Sequence, residues 1–216
     1  MNSESPMTAT SPAGGAVIKR APEIARATAA DEDDIVRALL AASRIAYADL
    51  PGAETGGVER LIADMASRKP HDYRKLLSDG SSAIFIARVD GDVAGYIQPI
   101  YRPDRTGQLV AWHVLPEYQG HKVGSHLMRQ GLEFLGDIDI YSITTVGTVA
   151  EAMHRHFGFE EVLSVPPDHD WRKTPPPMAL AGLTAPQVPL ILERAQRRLI
   201  LEQMRAAADG SAAAGS

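Results

Sequence analysis

The sequence predicts one mixed α/β domain, and three observations carry this. An Asp-Gly pair (Asp90-Gly91) separates two β-rich runs. Apolar residues at helical spacing begin at Ile35. A strand, a sharp turn and a helix follow one another over Val114 to Met128. The chain has 216 residues, between one and two domains at roughly 150 residues each. Residues 1–20 are rich in Ser, Thr, Pro, Ala and Gly and the last eight in Ala, Gly and Ser, which leaves about 185 residues for a domain of ordinary size with an appendage.

In chain order, Ile24 to Thr28 has the character of a short strand. Thr28-Ala-Ala-Asp31 has capping-box spacing, and the acids Asp31, Glu32, Asp33 and Asp34 suit the start of a helix, as a solvated acidic first turn. Ile35, Leu39, Ala42 and Ala46 form one face of that helix. A second helix is expected over Val58 to Ser67 and a short third over Pro70 to Leu77. Ala83 to Val89 and Asp92 to Ile97 form a hairpin, because Gly accepts the positive φ of a type I′ turn. Gln108 to Val114 is a strand, His121 to Leu135 a helix and Ile138 to Val146 a strand. Thr148 to Phe157 is a helix closed by Gly158, and Glu160 to Val165 is a strand. After a Pro-rich loop, Met178 to Leu183 can form a last strand. Val188 to Ala207 is expected to be an amphipathic helix with Val188, Leu192, Ala195 and Leu199 on one face. The expected organisation is a disordered segment at 1–22, a domain at 23–183, the C-terminal helix at 184–208 and a flexible tail at 209–216.

Composition removes several classes. With no Cys, disulfides, a thiol nucleophile and a cysteine-based metal site are excluded. A net charge of -5 argues against a general nucleic-acid binder. No apolar run approaches the ~18 residues of a membrane span, and no signal core begins the chain, so a cytoplasmic protein without a membrane partner is expected.

Val114 to Met128, VLPEYQGHKVGSHLM, carries the chemistry. A turn from strand into helix leaves backbone N–H groups unpaired at the helix N-terminus, where the dipole favours an anion. Gly120 and Gly124 permit close approach to the backbone. His121 and Lys122 lie where cations are disfavoured by ~0.3–1 kcal/mol, which makes sense if a polyanion docks there. The P-loop and dinucleotide spacings are both absent.

These residues resemble the GCN5-related N-acetyltransferase (GNAT) family. Its acetyl-CoA signature, Q/R-x-x-G-x-G/A after V-x-P, is similar to Val114-Leu-Pro116-Glu-Tyr-Gln119-Gly-His-Lys122-Val-Gly124. A second signature, roughly N-x-x-A-x-x-x-Y-x-x-x-G-F, resembles Gly147-Thr-Val-Ala150-Glu-Ala-Met-His154-Arg-His-Phe-Gly158-Phe159. The resemblance implies a mostly antiparallel central sheet, splayed at the cofactor site and flanked by helices. It implies acetyl-CoA as acyl donor, without a metal, held by Trp112, Val114, Gln119, Gly120, His121, Lys122, Val123, Gly124 and Ser125. The central Gly of the first signature is Lys122, for which an ordinary helical backbone is expected, because a left-handed residue costs ~1–2 kcal/mol.

The implied reaction is direct attack of a primary amine on the thioester in a ternary complex. The resemblance puts the oxyanion at the Val114 N–H. His154 stands where the family carries its acidic Tyr, and is the expected general acid, with an exposed helix histidine as the plainer alternative. His113 is the candidate base, although alternation turns it away from the face of Trp112 and Val114. The family's two Glu positions fall on Gln108 and Ser142, which take no proton at neutral pH. Trp112 suits either the core or the cofactor channel, and Tyr47, Tyr73 and Tyr101 either an acceptor pocket or core and surface roles. His156 and the triplet Asp168-His169-Asp170 suit solvated or structural roles. The expected acceptor is a small-molecule or peptide amine. The competing expectations are a non-catalytic acyl-CoA-binding or assembly module on the same scaffold, and a nucleotide-binding protein. The apolar stripe of the C-terminal helix needs a cover, either its own domain or a second copy in a homodimer.

Overall fold

The computed structural model describes residues 21–163, 182–183 and 186–213. One seven-stranded sheet runs β1-β2-β3-β4-β5-β7-β6. Its strands are β1 (Glu23–Arg26), β2 (Phe85–Val89), β3 (Asp92–Tyr101), β4 (Gly107–Val114), β5 (Ile140–Thr145), β6 (Glu160–Glu161) and β7 (Gln187–Leu192). The helices are α1 (Glu32–Ala46), α2 (Gly57–Leu77), α3 (Val123–Leu135), α4 (Val149–His156) and α5 (Arg194–Ala213). All neighbouring strands are antiparallel except β4 and β5. Among the described residues, no helix is long and apolar enough to cross a membrane.

Strand alternation divides the core into two layers. Ile84, Ile86 and Tyr96 pack beneath α1 and α2 with Ile35, Leu39 and Tyr73. Phe85, Ala87, Ile97 and Leu109 face the other way, onto Leu127, Met128 and Leu132 of α3. The hairpin forms as expected: Val89 pairs with Asp92, and Asp90 and Gly91 have φ of 52° and 92°.

The acidic start of α1 does more than meet solvent. Asp31 accepts hydrogen bonds from the Thr28 N–H (2.8 Å) and hydroxyl (2.9 Å), and Arg88 of β2 donates to Asp31 (2.6 Å) and Asp34 (3.2 Å). The helix start is thereby tied to the sheet. The Thr28 amide, first, and Arg88 hold the Asp31 carboxyl below its ordinary 3.8, against the opposing effect of desolvation. A depressed folded-state pKa contributes stability above the unfolded value, and that stability is lost as pH falls through the folded one. Asp31→Asn is therefore expected to lower stability at neutral pH and to flatten its decline below about pH 4, checked by urea unfolding across pH.

Two elements depart from expectation. The two helices expected around Pro70 are one, Gly57–Leu77. An interior Pro costs a hydrogen bond and a steric clash. The helix continues through it because both halves are anchored, the first by Leu61 and Ile62, the second by Tyr73. The helix expected from Val188 begins only at Arg194, and Gln187–Leu192 is instead a strand inside the sheet. Val188, Leu190 and Leu192 are buried at period 2, and Pro189 does not disturb a strand whose backbone meets β5 and β6. Leu199, expected on the buried stripe, is 48% exposed, while Ile200 and Leu201 are buried. The helix is covered by its own domain: Ile200 and Leu201 join the α3 layer, and the buried Arg197 donates to the Leu132 carbonyl at 2.9 Å. Its backbone stays helical to Ala213. Residues 1–20, the 168–170 triplet, the 175–177 prolines and most of the strand expected at Met178 to Leu183 lie outside the described residues.

Candidate active site

β4 and β5 separate along their length. Their ladder runs Gly107↔Ile140, Gln108↔Tyr141, Leu109↔Ser142 and then ends. Beyond it a cleft of about 600 Å³ opens between the strands, bordered by the C-terminal half of β4, the turn into α3, and β5 with α4. On the β3 side, Gly95 pairs with Val114 and Ile97 with Trp112, while the Leu115 N–H donates to the Ala94 carbonyl. That bond makes Gly95–Val114 a non-hydrogen-bonded pair, and alternation makes Ile97–Trp112 another. The N–H and C=O groups of Trp112 and Val114 therefore point away from β3, toward the gap. A Cβ at Gly95 would collide with the His113 carbonyl, so glycine keeps β3 close to β4 here.

The turn after β4 is built for an anion. Gln119 reaches back and donates from Nε2 to the Val114 carbonyl at 3.2 Å. Gly120 has φ 80° with open space where a Cβ would stand. α3 starts at Val123 with no side-chain cap and no acid in its first turn. Among the described residues, no side chain is thus seen to cap the amides of 123–125. Gly124 plays a different part: its missing Cβ would stand 3.3 Å from the Trp112 ring, so it lets α3 pack on β4.

Lys122 corrects an expectation. It precedes the helix and is left-handed, φ 62° and ψ 6°, where an ordinary helical backbone was expected. The turn demands positive φ whatever the side chain, at a cost of ~1–2 kcal/mol. Lys122→Gly removes that strain but loses chain entropy of ~0.5–1 kcal/mol. A net stabilisation of up to about 1 kcal/mol is expected in urea unfolding of the ligand-free protein.

His154, on α4, is buried at 5% exposure, which removes the exposed-histidine alternative. Its Nδ1 lies 2.7 Å from the Ala150 carbonyl and its Nε2 2.9 Å from the Ser142 hydroxyl. A carbonyl only accepts, so Nδ1 carries the proton of the neutral ring and Nε2 presents a lone pair to Ser142. Trp112 and Phe159 pack edge-on to the ring at 5.5 and 5.0 Å. Burial, opposed by the bond to Ala150, holds His154 below its ordinary 6.5.

Trp112, His113, Val114, Gln119, Gly120, Lys122, Val123, Gly124, Ser125 and His154 all border the cleft. His121 does not. Trp112 meets both of its alternatives, packing on Phe157 at 5.4 Å while lining the cleft. His113 lies on the opposite face, tilted against Tyr96 at 5.3 Å, toward the side where Ala42 and Ala46 of α1 and the following Tyr47 border the cleft. Tyr73 is core, its hydroxyl 2.7 Å from that of Tyr96, and Tyr101 is 41% exposed away from the cleft. Gln108 is bound by Arg102 at 2.6 Å, and His156 is exposed on α4. A contact that the sequence conceals is that of Ser142 with His154. The Ser142 hydroxyl looks inert at neutral pH until a histidine is found beside it.

A mixed sheet parted beside an uncapped helix N-terminus defines the N-acyltransferase fold class. A model of the acetyltransferase (GNAT) family matches residues 53–159. A curated protein of Archaeoglobus fulgidus, named an uncharacterized N-acetyltransferase, is 28% identical over 118 residues, 52% of this chain and 72% of its own. Among solved structures, the PaiA N-acetyltransferase of Thermoplasma acidophilum in complex with coenzyme A superposes with a TM-score of 0.61 at 13% identity, over 81% of this chain and 99% of its own. A GCN5-related N-acetyltransferase from Rhodopseudomonas palustris does so at 0.56 and 17% identity, over 83% and 99%. Residues 53–159 therefore carry a GNAT acetyltransferase domain.

Proposed function

We propose that this protein is an acetyl-CoA-dependent N-acetyltransferase that transfers the acetyl group directly to a primary amine in a ternary complex. The observation that carries this is one cleft bordered both by the uncapped amides of α3 and by the Ser142–His154 pair. The diphosphate docks on the amides of Val123, Gly124 and Ser125, with Lys122 adding charge and Gln119 and Gly120 shaping the turn. The pantetheine arm lies along β4 and takes the backbone groups of Trp112 and Val114 in place of the missing β5 pairing. The resemblance puts the oxyanion at Val114. We assign it instead to the Trp112 N–H, because Trp112 touches His154 and Val114 lies about 7 Å further along the strand. One such donor is worth ~3–4 kcal/mol in the transition state. The amine enters past His113, Ala42, Ala46 and Tyr47, the α1 side of the cleft.

A proton-transfer pair bordering the cleft favours catalysis over a module that only binds acyl-CoA. The test is release of free CoA thiol from acetyl-CoA with spermidine, kanamycin, benzylamine, free amino acids and a lysine-containing peptide. Turnover with one class and a rise in melting temperature with CoA is the expected result. CoA stabilisation with no turnover across the panel would select the binding module, and stronger stabilisation by ATP than by CoA would select a nucleotide site.

A further inference from the structure

Ser142 stands on the last β4–β5 pair, opposite Leu109, where the sheet opens and the cleft begins. It is 3% exposed, and its hydroxyl has two acceptors in reach: His154 Nε2 at 2.9 Å and the Leu109 carbonyl at 3.3 Å. A hydroxyl has one proton to give. With neutral His154, Ser142 donates to Nε2. With protonated His154, Nε2–H donates to Ser142, whose own proton is then free for the Leu109 carbonyl or for a reacting atom in the cleft. Both protonation states are fully bonded, so the pair can take up a proton and return it without leaving a polar group stranded.

We infer that Ser142 is the group that exchanges protons with the reacting atoms, and that His154 is the reservoir behind it, one relay serving as both base and acid. This rests on the acyltransfer reading above. As the amine nitrogen bonds to the acetyl carbon, its proton passes to Ser142 Oγ while the Ser142 proton passes to His154 Nε2. The C–S bond then breaks with its electron pair on sulfur. The transfer runs in reverse, Nε2–H to Oγ and Oγ–H to sulfur, giving amide and free thiol with both side chains restored. The amine thus supplies the thiol proton, and no other co-reactant is needed.

His154 sits in an environment suited to a reservoir. β4, β5 and the segment after α4 present Trp112, Ser142 and Phe159 to it, and no charged group contributes to its shift. The other titratable groups bordering the cleft are His113, Lys122, Tyr47 and Tyr118. Burial makes the protonated ring transient, which speeds the return step.

The test uses the full chain, acetyl-CoA and the fastest amine of the panel above. Ser142→Ala is expected to lower kcat about 10²-fold with little change in KM for acetyl-CoA. Ser142→Thr keeps the hydroxyl and is expected to retain most activity. Because burial holds His154 below the ordinary histidine value, wild-type kcat/KM is expected to gain an acid limb only on the acid side of that value, where resting His154 becomes protonated, and that limb disappears in Ser142→Ala and in His154→Ala. The double variant is expected to be no slower than the slower single one, because both residues form one path. Wild-type kcat in Ser142→Ala, a retained acid limb, or losses that multiply in the double variant would each overturn the relay while leaving the acetyltransferase reading standing. A wild type inactive on every amine overturns both. If Ser142→Ala does not fold, the Ser142→Thr rate and the His154→Ala pH profile decide.

Discussion

Lys122→Glu is expected to weaken acetyl-CoA binding about 10²-fold while leaving the unfolding of the ligand-free protein nearly unchanged. Lys122 is exposed, borders the cleft and directly precedes the uncapped α3 amides. Two unit charges 4 Å apart interact by about 4 kcal/mol at an effective dielectric of 20 and about 1 kcal/mol in bulk water. An exposed cation facing a diphosphate belongs toward the lower figure. Reversing its charge removes the attraction and adds a comparable repulsion, about 2–3 kcal/mol together. The left-handed backbone strain is the same for Glu as for Lys, so folding is not the variable. Titration calorimetry at low and high salt checks this. The gap between wild type and variant narrows as the Debye length falls from ~10 Å at 0.1 M to ~3 Å at 1 M. An unchanged affinity would remove the diphosphate from this turn, and with it the donor orientation proposed above.

Leu190→Ala is expected to cost 2–5 kcal/mol in urea or thermal unfolding, the range for emptying a fully buried leucine site. Leu190 is 0% exposed, packs in the α3 layer and stands opposite Ser142 in the β5–β7 ladder. The effect reaches function as well. Among the described residues, β7 alone pairs with β5 beyond Ser142, because the β4–β5 ladder ends there. A loosened β7 therefore leaves the cleft wall that carries Ser142 held on one side less firmly. Activity at temperatures well below the midpoint is expected to fall by more than the folded fraction alone accounts for. A cost below 1 kcal/mol would mean that the C-terminal segment is an ornament on the sheet rather than part of it.

The hairpin, α1, β4, α3 and α4 could be read locally. Each has a signal within its own few residues: Asp90-Gly91 for the turn, Ile35 and Leu39 for the helix face, Thr148 and Gly158 for the ends of α4. The Thr148 hydroxyl indeed accepts from the Glu151 amide, and Gly158 has φ 78°. The segment 187–192 is a strand whose apolar residues also fit the period of a helix. Val188 and Leu192 are four apart for a helix and lie on the same face of a strand, and Pro189 was the one local clue. Pro70 misled in the opposite direction, since burial of both halves of α2 outweighed a local breaker.

The donor side of the site follows from chain order. Strand, turn and helix are consecutive, so Trp112, Val114, Gln119, Gly120 and the residues from Lys122 to Ser125 meet around one cleft wherever the rest of the domain goes, and only Lys122 needs a backbone that its side chain does not advertise. The Ser142–His154 pair does not follow from chain order. Ser142 and His154 are on different elements, and each taken alone is an ordinary strand serine and an ordinary helix histidine. Burial, the Ala150 carbonyl that fixes the tautomer, and a sheet that parts just beyond Leu109 turn them into a pair. Local backbone geometry is written in neighbouring residues, whereas protonation state and partner depend on groups brought together from across the fold, and only tertiary packing supplies those.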